Sequence, residues 1–327
     1  MASSQPRVTI LLSTYNGARY LQEQLDSLLD QTHKNWVLYW RDDGSTDGTV
    51  EVLRAFAEQV GQQLFVESPS SGPHLGAAAS FLTLLREQKD NGPVAFADQD
   101  DVWLPEKLAR AMAWLRQTDA EPALYCARQY LVDEHLRGAR LSALHGEAPA
   151  FPACLTQNIA NGNTLVLNGQ AAALVASANM PDGSVHDWWS YIVVSAAGGR
   201  ILFDPQPQVL YRLHKENLIG RAHPLPWRAL AALRRGPAIY MTMMGRHTDH
   251  LMAQPGRLSP QARQDLRLIQ SGLRGGLLNR LNALRCRRFR RRTWLENLLF
   301  SYWFITNAPA LPSATAALPG KQAALPS

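Results

Sequence analysis

The chain has 327 residues, 46% hydrophobic and 18% charged, enough for one large domain with a proper core, or for a domain and an appendage. Its net charge of +6 is uneven: residues 1–225 hold 17 Lys and Arg against 24 Asp and Glu, and residues 226–327 hold 16 against 3, so the basic character is a property of the C-terminal part. Three widely spaced cysteines, Cys126, Cys154 and Cys286, form no CxxC pair, which argues against a disulfide framework and a zinc site and fits a reducing compartment; the start, MASSQPRVTI, lacks the long apolar run of a signal peptide.

In chain order, Arg7–Leu12 (RVTILL) predicts a buried strand, ended by Ser13-Thr14-Tyr15-Asn16-Gly17. Leu21, Leu25, Leu28 and Leu29 fall at helical spacing between Tyr20 and Leu29. Trp36–Trp40 predicts a second strand, which runs into the polar turn DDGSTDGT and a helix over Val50–Val60. A strand at Leu64–Val66, a helix at Ala77–Arg86 and a strand at Val94–Ala97 follow. Strands alternating with helices predict an α/β fold, with a mostly parallel central sheet and helices on both faces. In such sheets ligands sit at the carboxyl ends of the strands. Thr14-Tyr15, Asp42-Asp43 and Asp98–Asp100 all follow strands, so they are expected to converge on one crevice.

Beyond these lie a helix at Lys107–Gln117, a strand at Ala123–Ala127, an irregular stretch over 137–157, a strand at Gly162–Leu167 and a helix at Ala171–Ala178. His186-Asp187-Trp188-Trp189 opens a helix to about Ala197, and Leu202-Phe203 and Val209–Tyr211 read as two short strands. From about Pro224 the composition shifts to Arg, Leu and Ala, and the last twenty residues, rich in Ala and Pro, read as a disordered tail.

The stretch FADQDDVW places Asp98, Asp100 and Asp101 directly after a buried strand. Like charges so close repel, and each is costly to desolvate. A positive group is therefore expected beside them, a divalent metal ion before others. The chain has neither GxxxxGK[ST] nor a GxGxxG after the first strand, so P-loop and Rossmann readings lose support.

In their order and spacing, VTILLSTYNGARYL, DDGSTDGT, ADQDDVWLPEKL and HDWW resemble the inverting family 2 glycosyltransferases with the nucleotide-sugar-binding GT-A fold. The DQDDVW form, with HLGAAASFLTLL before it and YRLHKEN after it, looks like the bacterial rhamnosyltransferase-type members. The resemblance covers residues 7 to about 225. It implies a GT-A catalytic domain over 1–225; composition divides the rest into a basic, Arg- and aromatic-rich helical region over 226–307 and the tail over 308–327. The resemblance also implies transfer of a sugar, L-rhamnose among such members, from a dTDP- or UDP-sugar to a glycan or lipid-linked acceptor in cell-surface polysaccharide synthesis, with Mg²⁺ or Mn²⁺.

Carried onto this sequence, the resemblance puts Thr14 and Tyr15 at the nucleoside, with Asn16, Gly76 and Arg212 also on the donor side. Asp42 or Asp43 accepts the ring N–H of uracil or thymine, although Asp-Gly-Ser is also ordinary turn chemistry. Asp100 contacts the metal directly, Asp98 touches the ribose or the metal through water, and His214 is a further metal or diphosphate contact; Asp101 reads instead as a cap for the turn before Pro105. Asp187 is the expected general base, with His186 as its rival and helix capping as its bland alternative. Trp188, Trp189, Gly162 and Asn163 fall on the acceptor side, against core packing for the tryptophans and a plain turn for Gly162-Asn163. HLGAAASF lacks the Lys or Arg that relatives often carry there, and its His74 lies in a loop. A nucleotidyltransferase and an inactive sugar-nucleotide-binding scaffold are the competing classes.

Residues 280–292, RLNALRCRRFRRR, hold seven arginines, and an aromatic-rich stretch too short to span a bilayer follows. That pairing suits the headgroup boundary of an anionic membrane, with a solvated helix face as the alternative. No nucleic-acid fold or motif accompanies the run, so no nucleic-acid partner is expected. The expected location is cytoplasmic, peripheral at the inner face of the membrane.

Overall fold

The computed structural model describes residues 5–118, 120–146, 148–214 and 237–306. The first half builds as its sequence alternation predicts. Strand β1 (Val8–Thr14) pairs in parallel with β2 (Trp36–Asp42), and the register puts Thr14 opposite Asp42. Strand β4 (Val94–Ala97) lies on the other side of β1 with Leu12 opposite Ala97, and β3 (Phe65–Glu67) flanks β2. Helices α1 (Ala18–Leu29), α2 (Thr49–Val60) and α3 (Ala77–Glu87) cross between them. Alternation along β1 sends Val8, Ile10 and Leu12 to one core with Leu21 and Leu25 of α1, and Leu11 to the other with Phe81 of α3. Burial on both faces is why this strand reads as an unbroken apolar run.

Next come β5 (Val102–Trp103), α4 (Lys107–Leu115), β6 (Ala123–Val132), β7 (Arg140–Leu141), β8 (Val166–Leu167), α5 (Gly169–Ser177), α6 (His186–Ala196) and β9 (Arg200–Arg212). The sheet order is β3-β2-β1-β4-β8-β6-β9-β5, with β7 on β6. Strand β8 is antiparallel to both β4 and β6, whereas the long β6–β9 ladder is parallel. The two short strands expected at 202–203 and 209–211 are one strand, because pairing with β6 continues past Pro205 and Pro207 through a register shift. Residues 162–164 form a 3₁₀ turn, which leaves a two-residue strand where a longer one was expected. Because β5 pairs antiparallel with the end of β9, the DQDD loop lies against Arg212 and His214.

Helices α7 (Ala238–Met252), α8 (Pro260–Arg274), α9 (Leu277–Leu284) and α10 (Trp294–Thr306) complete the described chain. They share the α6-side core: Tyr240, Met244, Leu266, Ile269, Phe300 and Phe304 belong to one buried cluster with Trp189 and Ile192. The expected boundary near 225 and the tail over 308–327 lie outside the described residues. No helix of the described residues is long and apolar enough to cross a membrane.

Candidate active site

The loops after β1 and β2 are laced together by their own side chains. Asn16, at φ 49°, donates its N–H to Ser45 Oγ at 2.8 Å, and its Oδ1 accepts from Thr46 N at 2.9 Å. Gly17 N donates to Thr49 Oγ1 at 2.8 Å and Ala18 N to Asp47 Oδ2 at 3.1 Å. Much of STYNG and DDGSTDGT is thus mutual scaffolding, which holds Tyr15 half-exposed at the rim, its ring 4.7 Å from that of His74.

Asp42 and Asp43 are both buried and both occupied. Asp42 accepts from Thr14 Oγ1 at 2.9 Å, Gly44 N at 3.0 Å, Ser45 N at 2.8 Å and Ser45 Oγ at 2.6 Å. Asp43 accepts from Leu75 N at 2.7 Å and Gly76 N at 2.8 Å, is ion-paired to the buried Arg41, and lies 2.9 Å from His74 Nδ1. Arg41 is the cation on this side, and it is committed to the fold: it also donates to Ser80 Oγ at 3.1 Å and Pro73 O at 2.5 Å. A base can take an acceptor from either aspartate only by displacing one of these donors, and the exposed His74 is the most easily displaced.

The second cluster gathers Asp98, Asp100, Asp101 and Asp187. Burial, then the charges of Asp100 and Asp187, push the Asp98 carboxyl up to about 7. Asp100 Oδ2 lies 2.8 Å from His214 Nε2. Asp101 is fully buried, accepts from Asn163 Nδ2 at 2.5 Å and Arg212 N at 3.1 Å, and is raised well above the carboxylate range by burial first and its acidic neighbours next. Asp101 is therefore a fastener between the DQDD loop, β9 and the turn before β8. Asp187 lies in the first turn of α6 but is not its cap, a position taken by Val185. Its oxygens accept from Trp188 N at 2.6 Å and Gly162 N at 3.1 Å; burial outweighs these bonds and pushes it up to about 6. The charge of Asp187 reaches Asp98 and helps raise it.

Other expected residues serve the fold. His186 is enclosed by Phe81 and Phe96, with ring centroids at 4.3 and 5.2 Å, and burial pushes it down to about 3; it is a neutral core histidine, ill-placed to take a proton. Trp188 and Trp189 are core, with Trp188 Nε1 donating to Cys154 O at 2.7 Å and Trp189 stacked on His247, so neither offers an open face to a sugar. Gly162 reaches the site through its N–H, and the buried Asn163 through Asp101. Arg212 is buried, donating to Asp100 O at 2.8 Å, Glu134 O at 2.6 Å and Glu23 Oε2 at 2.5 Å, so its guanidinium ties loops together and does not face a ligand.

Two residues that sequence reasoning passed over complete the picture. Gln99, the middle residue of the D-x-D, bonds both backbone groups of Tyr15. Lys107 opens α4 fully buried, its Nζ 2.9 Å from the Trp103 ring centroid; burial pushes its pKa well down, against the pull of Asp101 and Asp98. A lysine two residues after the proline that follows an acidic loop was the available signal.

The fit of a divalent cation rests on donor chemistry. Asp98 and Asp100 are hard oxygen donors whose repulsion Lys107 only partly offsets. Among the described residues no three His, Cys, Asp or Glu side chains form a group that could hold an ion alone. The set fits an ion that brings further oxygen ligands with it.

Comparison with known proteins identifies the family and the fold. The chain is 27% identical over 223 residues to the dTDP-rhamnosyl transferase RfbG of Shigella flexneri, a match covering 64% of this chain and 73% of that one. It is 31% identical over 117 residues to the putative teichuronic acid biosynthesis glycosyltransferase TuaG of Bacillus subtilis, which covers 36% of this chain and 45% of that one. Among solved structures, S. aureus TarS 1–349 in complex with UDP matches with TM-score 0.55 at 17% identity, over 81% of this chain and 71% of that one. The mannosyltransferase PcManGT from Pyrobaculum calidifontis, in complex with GDP-Man and Mn²⁺, matches with TM-score 0.53 at 19% identity, over 86% and 73%. These likenesses confirm the GT-A fold. The family model for Glycosyl transferase family 2 spans residues 9–177, from β1 through both acidic loops to α5, and the chain belongs to that family.

Proposed function

We propose that this glycosyltransferase moves a sugar, with inversion, from a nucleoside-diphosphate donor to a hydroxyl of a glycan or lipid-linked acceptor, and that the donor is dTDP-L-rhamnose. The observation that carries the reading is Asp187, itself pushed up to about 6 and near enough to the D-x-D that its charge helps raise Asp98. A base serves best when its pKa lies near the working pH. Similarity to RfbG, described as a dTDP-rhamnosyl transferase, supports the donor.

In this reading Tyr15, held by Gln99, flanks the nucleoside with His74. Asp98 and Asp100 would hold a Mg²⁺ or Mn²⁺, as the Mn²⁺ complex of PcManGT supports; when bound, the ion offsets charge on the departing diphosphate. Asp187 accepts the proton of the acceptor hydroxyl as its oxygen attacks from the face opposite the diphosphate. The N–H groups of Gly162 and Trp188 hold the carboxylate in place for that transfer.

A panel of sugar nucleotides, assayed with acceptor and Mg²⁺ or Mn²⁺, tests the proposal. Release of free nucleoside diphosphate, with dTDP-rhamnose the best donor and an inverted anomeric centre by NMR, is the expected result. Pyrophosphate-dependent formation of sugar 1-phosphate and nucleoside triphosphate would instead mean nucleotidyltransfer, and binding with neither product would mean a scaffold. The ion is tested by calorimetry: Asp100→Ala should lose Mn²⁺-dependent dTDP binding while the fold survives.

A further inference from the structure

Helices α9 and α10 each turn an apolar face to solvent. On α9, Leu277, Leu278 and Leu281 are exposed while Ala283 is buried; on α10, Trp294, Leu295, Leu298 and Tyr302 are exposed while Phe300 and Phe304 are buried. At about 100° per residue the exposed set on α10 lies opposite the buried one. The helix is therefore apolar on both sides, the pattern of a helix covered all round. The two helices are neighbours: an Arg280 side-chain N–H donates to Ile305 O at 2.6 Å, and a Cβ at Gly272 of α8 would meet both Ala283 and Phe304.

Between them lies a cleft of about 210 Å³, lined by Arg285, Arg287 and Arg290 together with Asn297 and Ser301 of α10. The other arginines of this run already have polar partners. Arg288 reaches Asp265 at 3.4 Å, Arg291 donates to Thr156 O at 2.9 Å and lies 3.8 Å from Glu296, and Arg292 lies 2.9 Å from His145 Nδ1. Asp265 and Glu296 are thus already paired, and Arg285, Arg287 and Arg290 have no ion-pair partner among the described residues. Unneutralised cations stand beside exposed leucines, a tryptophan and a tyrosine.

We propose that α9, α10 and the arginine cleft between them dock the protein on an anionic lipid bilayer, with Leu278, Trp294, Leu298 and Tyr302 at the headgroup–acyl boundary and Arg285, Arg287 and Arg290 on lipid phosphates. Charge selects this occupant. A two-fold contact between copies would set the same cationic patch against itself, and a nucleic-acid backbone would leave the leucines wet. The inference stands on the surface alone and is independent of the donor sugar.

Co-sedimentation of the full chain with vesicles of phosphatidylglycerol and phosphatidylcholine at 1:1, and with pure phosphatidylcholine, tests it. The expected result is binding to the anionic vesicles alone, weakening as salt rises. The triple variant R285Q/R287Q/R290Q should lose roughly a hundredfold in partitioning. R54Q/R116Q/R140Q, the same change of charge on exposed arginines elsewhere, should lose far less. The variant L278S/W294S/L298S should also release the protein. Circular dichroism and dTDP affinity matching wild type show that each variant is folded. Equal loss in both arginine triples, or anionic-vesicle binding that none of the variants alters, overturns the proposal. So does an absence of vesicle binding by wild type; a dimer that L278S/W294S/L298S dissociates would then assign the face to a second copy.

Discussion

Tyr15 and Gln99 are joined by a reciprocal pair of hydrogen bonds: Tyr15 N donates to Gln99 Oε1 at 2.8 Å, and Gln99 Nε2 donates to Tyr15 O at 3.0 Å. The pair couples the loop after β1 to the middle of the D-x-D. It also accounts for Gly17, where a Cβ would sit 2.3 Å from the Gln99 amide oxygen. Backbone strain plays no part there, since the φ of Gly17 is −107°. Gln99→Ala should weaken dTDP binding about tenfold, from two lost hydrogen bonds. Gly17→Ala should do the same by pushing the amide away, and the double variant should be no worse than either. Calorimetric affinities that simply add would show that Gly17 and Gln99 act separately.

The Arg41–Asp43 pair is buried, and Asp43 also anchors the N–H groups of Leu75 and Gly76. Removing one partner of such a pair leaves a charge alone in the core, which costs about 3–5 kcal/mol. Arg41→Met should lower the unfolding free energy from denaturant titration by that amount, with a lower midpoint, and R41M/D43N should recover part of it. An unchanged midpoint for Arg41→Met would mean the pair contributes no net stability.

His186 gives an acid-side signature. Its folded pKa of about 3 lies below the ordinary histidine value of 6.5, so the fold favours the neutral ring. The stability this supplies is complete above 6.5 and is lost as pH falls toward 3; at pH 5 the loss is on the order of 2 kcal/mol. His186→Leu, which keeps an apolar side chain between Phe81 and Phe96, should flatten the fall in melting temperature between pH 7 and pH 5. An unchanged slope would place the acid sensitivity elsewhere, with His247 the next candidate, since burial also pushes it down to about 3.

The fold of the first hundred residues was legible because β1, β2 and β4 are buried on both faces and each helix has one apolar stripe, so hydrophobic period identifies them. Residues 200–212 were less legible: Pro205 and Pro207 suggest a break, yet the bulged ladder with β6 carries the strand through. At the site, the acidic motifs announced themselves by charge. The roles of Arg212, Trp188 and Trp189 did not, because a buried fastener and a ligand contact use the same residue types, and only tertiary packing separates them. Gln99 and Lys107 carry no motif of their own; one acts through its amide on a neighbouring loop, the other through burial beside carboxylates.

Asp187 carries the sharpest prediction. Its carboxylate is held by Gly162 N and Trp188 N, and burial lifts it to about 6. A base works in its ionised form, so turnover should rise with pH through about 6 and level off above it. Asp187→Asn keeps the size and one amide acceptor but cannot take the proton. Proton-transfer catalysis is worth roughly 10²–10⁴-fold, so turnover should fall that far, with donor affinity nearly unchanged and the inflection near pH 6 gone. Stability separates this role from a structural one. A folded-state carboxyl raised above its ordinary value of 3.8 favours the protonated form, so the stability it contributes is complete below 3.8 and is lost as pH rises through 6. Asn stays neutral throughout and escapes that loss, so at pH 7.5 the variant should melt no lower than wild type. An Asp187→Asn enzyme that keeps most of its turnover, or that loses activity only because it melts earlier, would remove Asp187 from the chemistry.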